Sequence, residues 1–367
     1  MKNLFCPPIK STIVLAGLLA VLSLRTYAQN DTVSTVHVGF IYPISSNGRQ
    51  AASYTNYFSL HAIAGLSKNE NGAALAGVAN VIRHDAKGIQ MAGAANVIGR
   101  DAKGIQLAGA VNLTGNSSSG IQMAGFSNIV RGEANGAQVA GFMNLTGSGK
   151  TIQAAGFTNI ARGNIHGLQV AGFLNKAEEV NAQIGGFANV AKKVKGVQLA
   201  GFINIADSSD YPIAIFNFIK NGEKSIALTL DESMTGIASF RSGGRVLYGI
   251  AGVGYNFKNN SKPLYAVEAG LGAHIALAKS FRLNLEAISH TLSDFKEGSY
   301  FKNSVRILPA YKIGKRIEIF AGPTVNYVTY EREDDFSFIK KYVWKNDKSE
   351  DFQGIYFGFN TGIQIIL

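Results

Sequence analysis

Apolar and polar residues alternate with a period of two over the last third of the chain, from Arg245 to Leu367. Such alternation predicts β-strands that have one apolar face and one polar face. No charge lies on the apolar face of the clearest segments, which are 264–277, 281–288, 317–329 and 355–367. Charged side chains therefore collect on the opposite face.

This arrangement predicts a β-barrel that spans a membrane. A charge on the lipid-facing side costs roughly 2 to 4 kcal/mol at mid-depth, so such strands keep the outer face apolar and the inner face polar. The connections alternate in length, short at 242–244, 278–279 and 312–315 and longer at 258–263, 290–300 and 331–352. Short periplasmic turns and longer outer loops are typical of outer-membrane barrels.

The first half of the chain is dominated by a repeat, Gly-x-Gln-x-Ala-Gly-x-x-Asn, which occurs nine times between Gly72 and Asn204. Successive repeat asparagines are 14 to 16 residues apart. Helical repeats need roughly 33 residues or more, so a shorter unit predicts strands and turns. Within a copy, Ile105 and Leu107 share one face, and Gln106 and Asn112 share the other.

We predict an all-β fold, an antiparallel transmembrane β-barrel of about 20 strands in which the repeats are wall strands. This barrel would comprise residues 29–367, including the repeat region 72–204 and the C-terminal strands 245–367. The alternative is a β-solenoid of repeats joined to a smaller barrel, because identical units at fixed spacing stack like residues into ladders. A phenylalanine column favours that alternative: Phe126, Phe142, Phe157, Phe173, Phe187 and Phe202.

Residues 1–28 have the features of a signal peptide. Lys2 and Lys10 precede a short apolar run, and Thr26-Tyr27-Ala28 forms a small-residue cleavage site. The single cysteine, Cys6, lies ahead of the apolar run, so the mature chain would contain neither disulfides nor thiolate metal sites. Overall composition suits a glycine-rich β-protein, with 42 glycines and 16% charged residues.

Two groups of residues are the candidates for function. The first is a set of charged residues predicted to face the lumen, where they could brace the wall or line a pore: Glu268, Arg282, Glu286, Arg306 and Glu318. The second is the set of repeat amides, predicted to form a wall that faces water: Gln90, Asn96, Gln106, Asn112, Gln122, Asn128, Gln138 and Asn144. The histidines lack metal-type spacing, and we expect no catalytic residue, cofactor or metal.

The repeats and the segment Tyr211–Gly222 resemble the surface-repeat family of bacterial outer-membrane proteins over roughly residues 36–231. The resemblance implies an outer-membrane location and surface display, and it assigns no catalytic residue and no ligand. The expected partners are outer-membrane lipid and an unidentified small solute or surface partner, with no nucleic acid. The expected function is a pore or passive channel with a polar lumen, and the alternative is a non-conducting structural or adhesive surface protein.

Overall fold

A computed structural model of the chain describes residues 32–258, 264–295, 299–331, 336, 338–347 and 350–367. The predicted signal peptide lies outside these residues. The described residues form two all-β parts, a parallel β-solenoid of about ten turns and a separate antiparallel barrel of eight strands.

Twenty-two strands and one short 3-10 helix, Gly48–Ser53, build the solenoid. In chain order the strands are β1 Thr32–Ile41, β2 Ile44–Ser45, β3 Tyr54–Ser67, β4 Asn69–Ala76, β5 Ala79–Ile82, β6 Ala86–Ala92, β7 Ala95–Ile98, β8 Ala102–Ala108, β9 Val111–Thr114, β10 Ser118–Ala124, β11 Ser127–Ala140, β12 Met143–Ser148, β13 Thr151–Ala155, β14 Thr158–Ala161, β15 Ile165–Ala171, β16 Leu174–Lys176, β17 Glu179–Gly185, β18 Ala188–Val190, β19 Lys193–Ala200, β20 Ile203–Ala206, β21 Ser208–Ile213 and β22 Phe216–Ile219.

Each repeat forms one coil, which consists of a longer strand, a tight turn, a shorter strand and a second turn. Strands pair in parallel with their equivalents in the next coil, so Gln90 lies beside Gln106 and Asn96 beside Asn112. The longer strands form one sheet and the shorter strands the other. Like residues therefore stack in register along the whole rod.

The repeat glycines permit this close stacking. Gly104 has a φ of 118°, and a Cβ atom there would lie 2.1 Å from the carbonyl oxygen of Gly88 in the preceding coil. Gly109 precedes the next turn, and its Cβ atom would lie 2.0 Å from the carbonyl oxygen of Gly93. A side chain at Gly104 or Gly109 would push the neighbouring coils apart.

Nine further strands form the second sheet, of which eight close the barrel. They are β23 Lys224–Asp231, β24 Thr235–Gly243, β25 Leu247–Asn256, β26 Tyr265–Ala276, β27 Phe281–Ser293, β28 Ser299–Ile313, β29 Ile317–Glu331, β30 Trp344–Asn346 and β31 Asp351–Ile366. Each wall strand pairs antiparallel with its neighbour, and β23 pairs with β31 to complete the ring. The three-residue β30 pairs with β31 beyond the end of β23.

The prediction of a single barrel of about 20 strands with the repeats in its wall was wrong. The repeats pair in parallel with one another, whereas barrel strands pair antiparallel with their sequence neighbours. Alternation with a period of two is the same in both structures and does not distinguish them. The alternative, a solenoid joined to a smaller barrel, describes the chain.

The solenoid joins the barrel at the end that carries the short connections. That end includes Lys224 at the start of β23, the turns 244–246, 277–280 and 314–316, and the end of β31. The backbone N–H of Asn217 donates a hydrogen bond of 2.9 Å to Ser242 Oγ at the barrel rim. At the opposite end the connections are 257–264, 294–298 and 332–350, so the predicted long connection 290–300 is shorter than expected because β27 and β28 extend into it.

Candidate functional site

The barrel interior is filled by charged side chains that pair across the lumen. Arg306 Nη2 lies 3.0 Å from Glu268 Oε2, and Arg241 Nη1 lies 2.9 Å from Glu286 Oε1. Arg282 Nε lies 2.7 Å from Glu318 Oε2. All six side chains are buried by the wall. The five residues predicted to face the lumen are therefore brought together there.

Three buried charged members of this network were missed by the sequence predictions, Arg241, Asp231 and Lys302, as was the partly exposed Glu223, which lies 2.6 Å from Arg282. The Lys302 ammonium contacts the Asp231 carboxylate, which also accepts a 2.7 Å hydrogen bond from Ser233. Lys302 lies four residues before Arg306 on the same face of β28, and extending the alternation over that segment would have found it. The buried lumen thus contains four cationic and four anionic side chains among the described residues.

An aromatic cluster fills the end of the barrel that carries the longer connections. Tyr300, Val328 and Tyr356 are almost completely buried there. Phe338 comes from the long connection between β29 and β31 and is buried in the same cluster, and its carbonyl oxygen accepts a 2.7 Å hydrogen bond from Lys258 Nζ. This connection therefore contributes to closing the mouth.

The repeat amides lie inside the solenoid and not in a water-facing wall. Asn96 and Gln106 are 0% and 1% exposed. Each ladder asparagine donates to the next through 2.9–3.0 Å hydrogen bonds. The series contains Asn80, Asn96, Asn112, Asn128, Asn144, Asn159, Asn175, Asn189, Asn204 and Asn217.

The glutamines form a second ladder of opposite polarity. Gln122 Nε2 donates to Gln106 Oε1 in the preceding coil at 2.9 Å, and Gln138 donates to Gln122 at 2.8 Å. The ladder ends where Pro212 lies in register with Gln198. Since buried amides must be hydrogen-bonded, the two ladders fix the register of the coils.

The outer surface of the solenoid is apolar on its longer-strand sheet. Ile89, Ile105 and Ile121 stack in one outward column, and Met91, Leu107 and Met123 stack in the next. The predicted phenylalanine column is confirmed at the adjacent turn, where the rings stack with centroids 4.9–5.1 Å apart. Inside the coils the amide ladders lie beside buried aliphatic clusters that include Ile82, Ile98 and Ile165. Buried amides beneath an exposed apolar sheet face are the reverse of the usual distribution in water.

The stacked strands β1, β3 and β4 at the N-terminal end of the solenoid bury a polar cluster. His37 Nε2 lies 3.0 Å from Ser45 Oγ and 3.4 Å from His61 Nε2. Glu70 accepts hydrogen bonds from Asn56 and Ser59 at 3.0 and 2.7 Å. Burial, with a smaller contribution from His61, lowers the pKa of His37 to about 4, while burial raises the pKa of Glu70.

The fold and its interior define a class of protein, an all-β chain in which an amide-laddered parallel solenoid continues into a filled eight-stranded barrel. Comparison with protein-family models, curated proteins and solved structures finds no significant match to this chain. Within the described ranges, no helix is long and apolar enough to cross a bilayer. The same residues contain no group of three or more histidine, cysteine or acidic side chains arranged to hold a metal.

Proposed function

We propose that this protein is a non-conducting structural repeat protein, anchored in the bacterial outer membrane by its eight-stranded barrel. The observation that carries the proposal is the filled lumen. Arg306 is paired with Glu268 inside the barrel, and both side chains are buried. An eight-stranded barrel has an interior just wide enough for side chains to fill.

The outer wall supports the membrane anchor. Val267, Val305 and Phe357 are 51%, 56% and 73% exposed, and each has polar or charged neighbours along its strand that point inward. A barrel in water would expose its charges and bury these apolar groups. Lipid is the solvent in which this distribution is stable.

The direction of insertion follows from the connections. Outer-membrane barrels keep short turns in the periplasm and longer loops outside. The solenoid joins the short-turn end, so in this proposal the repeats lie on the periplasmic side and the connection 332–350 lies outside. This orientation differs from the surface display that the family resemblance implies.

Conductance in a planar bilayer tests the proposal. The mature protein is inserted, and insertion is verified by heat-modifiable migration of the folded barrel on a gel. We expect no conductance above that of the bare bilayer. Steady single-channel conductance from protein that is folded and inserted would overturn the non-conducting function.

Orientation is tested separately with protease added to intact cells. Cleavage within 332–350 without cleavage of the solenoid is the expected pattern, and cleavage confined to the solenoid would show the opposite orientation. A disrupted-cell sample is the control that both parts are present.

A further inference from the structure

We propose that the solenoid is itself a membrane-binding element, whose apolar edge inserts into the inner leaflet of the membrane that holds the barrel. The inference rests on the proposed membrane anchor, since it takes the barrel wall to lie in lipid. The occupant of the apolar surface is lipid acyl chain, and four observations support it.

The first observation is the division of each coil into an apolar edge and a polar edge. The apolar edge is the turn that carries the phenylalanine column, together with the outward columns that flank it, such as Ile121 and Met123. The polar edge is the opposite turn, where Arg100 lies 3.9 Å from Asp85 and Lys192 lies 2.5 Å from Glu178. Such a rod is amphipathic along its entire length.

The second observation is the depth of the apolar zone. Ile121 and the edge residue Phe126 are five residues apart. At about 3.3 Å per residue this separation is at most about 17 Å. The hydrocarbon core of a bilayer is about 30 Å thick, so the zone matches one leaflet.

The third observation is a set of lysines at the boundary of that zone, in a column that also contains Ser119 and Asn135. These exposed lysines each lie two residues before an outward apolar residue: Lys87, Lys103, Lys150 and Lys195. In register, Lys87 lies beside Lys103, just as Ile89 lies beside Ile105. Lysine ammonium groups at this level would meet lipid phosphates while the isoleucines enter the acyl chains.

The fourth observation is continuity with the barrel wall. The rings of Phe202 and Phe216 lie 5.3 Å apart, and Phe218 lies 6.2 Å from Phe240 on the outer face of β24. A Cβ atom at Gly249 on β25 would lie 2.1 Å from the carbonyl oxygens of Ala214 and Ile215, which form the apolar-edge turn of the last coil. The apolar edge therefore meets the barrel on its outer wall, above the short-turn rim.

A second copy of the chain explains this surface less well than lipid. The outward residues of the shorter-strand sheet are also apolar, for example Leu113, Ile129 and Leu145. A partner protein would cover one side of the edge, whereas acyl chains surround both sides and the edge itself. A shallow apolar groove of about 720 Å³ runs along this edge and is lined by residues such as Leu75, Met91, Leu107 and Met123.

The test uses single cysteines in the mature chain, from which Cys6 would be absent. An environment-sensitive dye is attached at Ile105→Cys, Met123→Cys or Phe157→Cys, each of which replaces an exposed side chain. Lys103→Cys is the matched control on the same outward face, and Val267→Cys reports on the barrel wall. The protein is reconstituted in phosphatidylethanolamine and phosphatidylglycerol vesicles that contain nitroxide lipids.

We expect nitroxides in the acyl chains to quench the dye at Ile105 and Met123 within about twofold of the quenching at Val267. The dye at position 157 should be quenched most by nitroxides placed deep in the bilayer. The dye at position 103, which replaces Lys103, should be quenched mainly by a water-soluble quencher. Quenching at Val267 with none at Ile105, Met123 or Phe157 would overturn the inference while leaving the barrel anchor intact. Absence of quenching at all positions would overturn both proposals, and dye-free disulfide cross-linking at Ile105 would then identify a second copy as the occupant.

Discussion

Asn96 donates a hydrogen bond of 2.9 Å from Nδ2 to Oδ1 of Asn112, a residue 16 positions later and one coil further along the rod. The same Nδ2 group donates to the carbonyl oxygen of Leu107 at 2.8 Å. Each ladder asparagine thus links a neighbouring side chain and the backbone. A side-chain amide carries both N–H donors and a carbonyl acceptor, a combination that the other side chains lack. The ladder therefore favours coils that stack with asparagine on asparagine.

The position of an amide within its ladder should determine how much stability it contributes. Gln138 donates to Gln122 and accepts from Gln153, whereas Gln90 donates only to the carbonyl oxygen of Lys87. We expect Gln138→Leu to lower the free energy of unfolding by about 2 kcal/mol more than Gln90→Leu, because it leaves two buried partners unsatisfied. Denaturant unfolding followed by circular dichroism measures both, and equal losses would contradict the ladder argument.

Substitution of a stacking glycine should be far more damaging than substitution of a turn glycine with the same backbone preference. Gly104 and Gly314 both have positive φ, but only Gly104 has a carbonyl oxygen at 2.1 Å from its Cβ position. Gly314→Ala should cost about 1 kcal/mol from backbone strain alone. Gly104→Ala should separate two coils and raise the rate of amide hydrogen exchange in the coils on both sides of the substitution. Similar exchange rates in the two variants would show that close stacking does not require glycine.

Breaking one lumen ion pair should destabilise the barrel without opening it. Arg306→Met leaves Glu268 buried without its partner, and we expect a loss of about 3 to 5 kcal/mol. The double variant Arg306→Met with Glu268→Leu should recover much of this loss, because no unpaired carboxylate remains. Thermal unfolding of the folded barrel on gels provides the measurement, and a double variant no more stable than the single one would contradict the pairing argument.

The N-terminal end of the solenoid should loosen in acid. His37 is neutral in the fold, where its pKa is lowered to about 4 from its ordinary 6.5. The unfolded chain binds this proton first, so the stability contributed by neutral His37 is present above pH 6.5 and is lost as the pH falls towards 4. Hydrogen exchange of β1 and β3 should rise over that range, and His37→Gln should weaken the pH dependence. An unchanged pH profile in His37→Gln would show that this side chain is not responsible.

The same end of the solenoid should gain stability when Glu70 loses its charge. Burial raises the pKa of this carboxyl group, so ionisation costs stability once the pH exceeds the ordinary value of 4.5. Glu70→Gln should therefore raise the free energy of unfolding at neutral pH and keep acceptors for Asn56 and Ser59. Calorimetry at neutral and acidic pH tests this, because the gain should shrink as the pH falls.

The sequence predicts the inner and outer faces of the barrel strands from local alternation, and Glu268 and Arg306 lie where that alternation puts them. It does not predict the partner of a strand, because Gln106 alternates with Ile105 and Leu107 in the same way in a hairpin and in a coil. The interaction that distinguishes the coil from the hairpin is the hydrogen bond between Gln106 and Gln122, which forms only when identical strands lie parallel. Arg241 was missed because its strand, Thr235–Gly243, carries a weak pattern interrupted by small residues.

The in-register coils give the molecule an adjustable length. A coil contacts its two neighbours and repeats their register, so duplication or loss of one 16-residue unit inserts or removes a layer without altering the barrel. Each unit gained or lost changes the length of the solenoid by about 4.8 Å, the spacing between paired strands. The number of coils therefore sets how far the rod extends from the barrel.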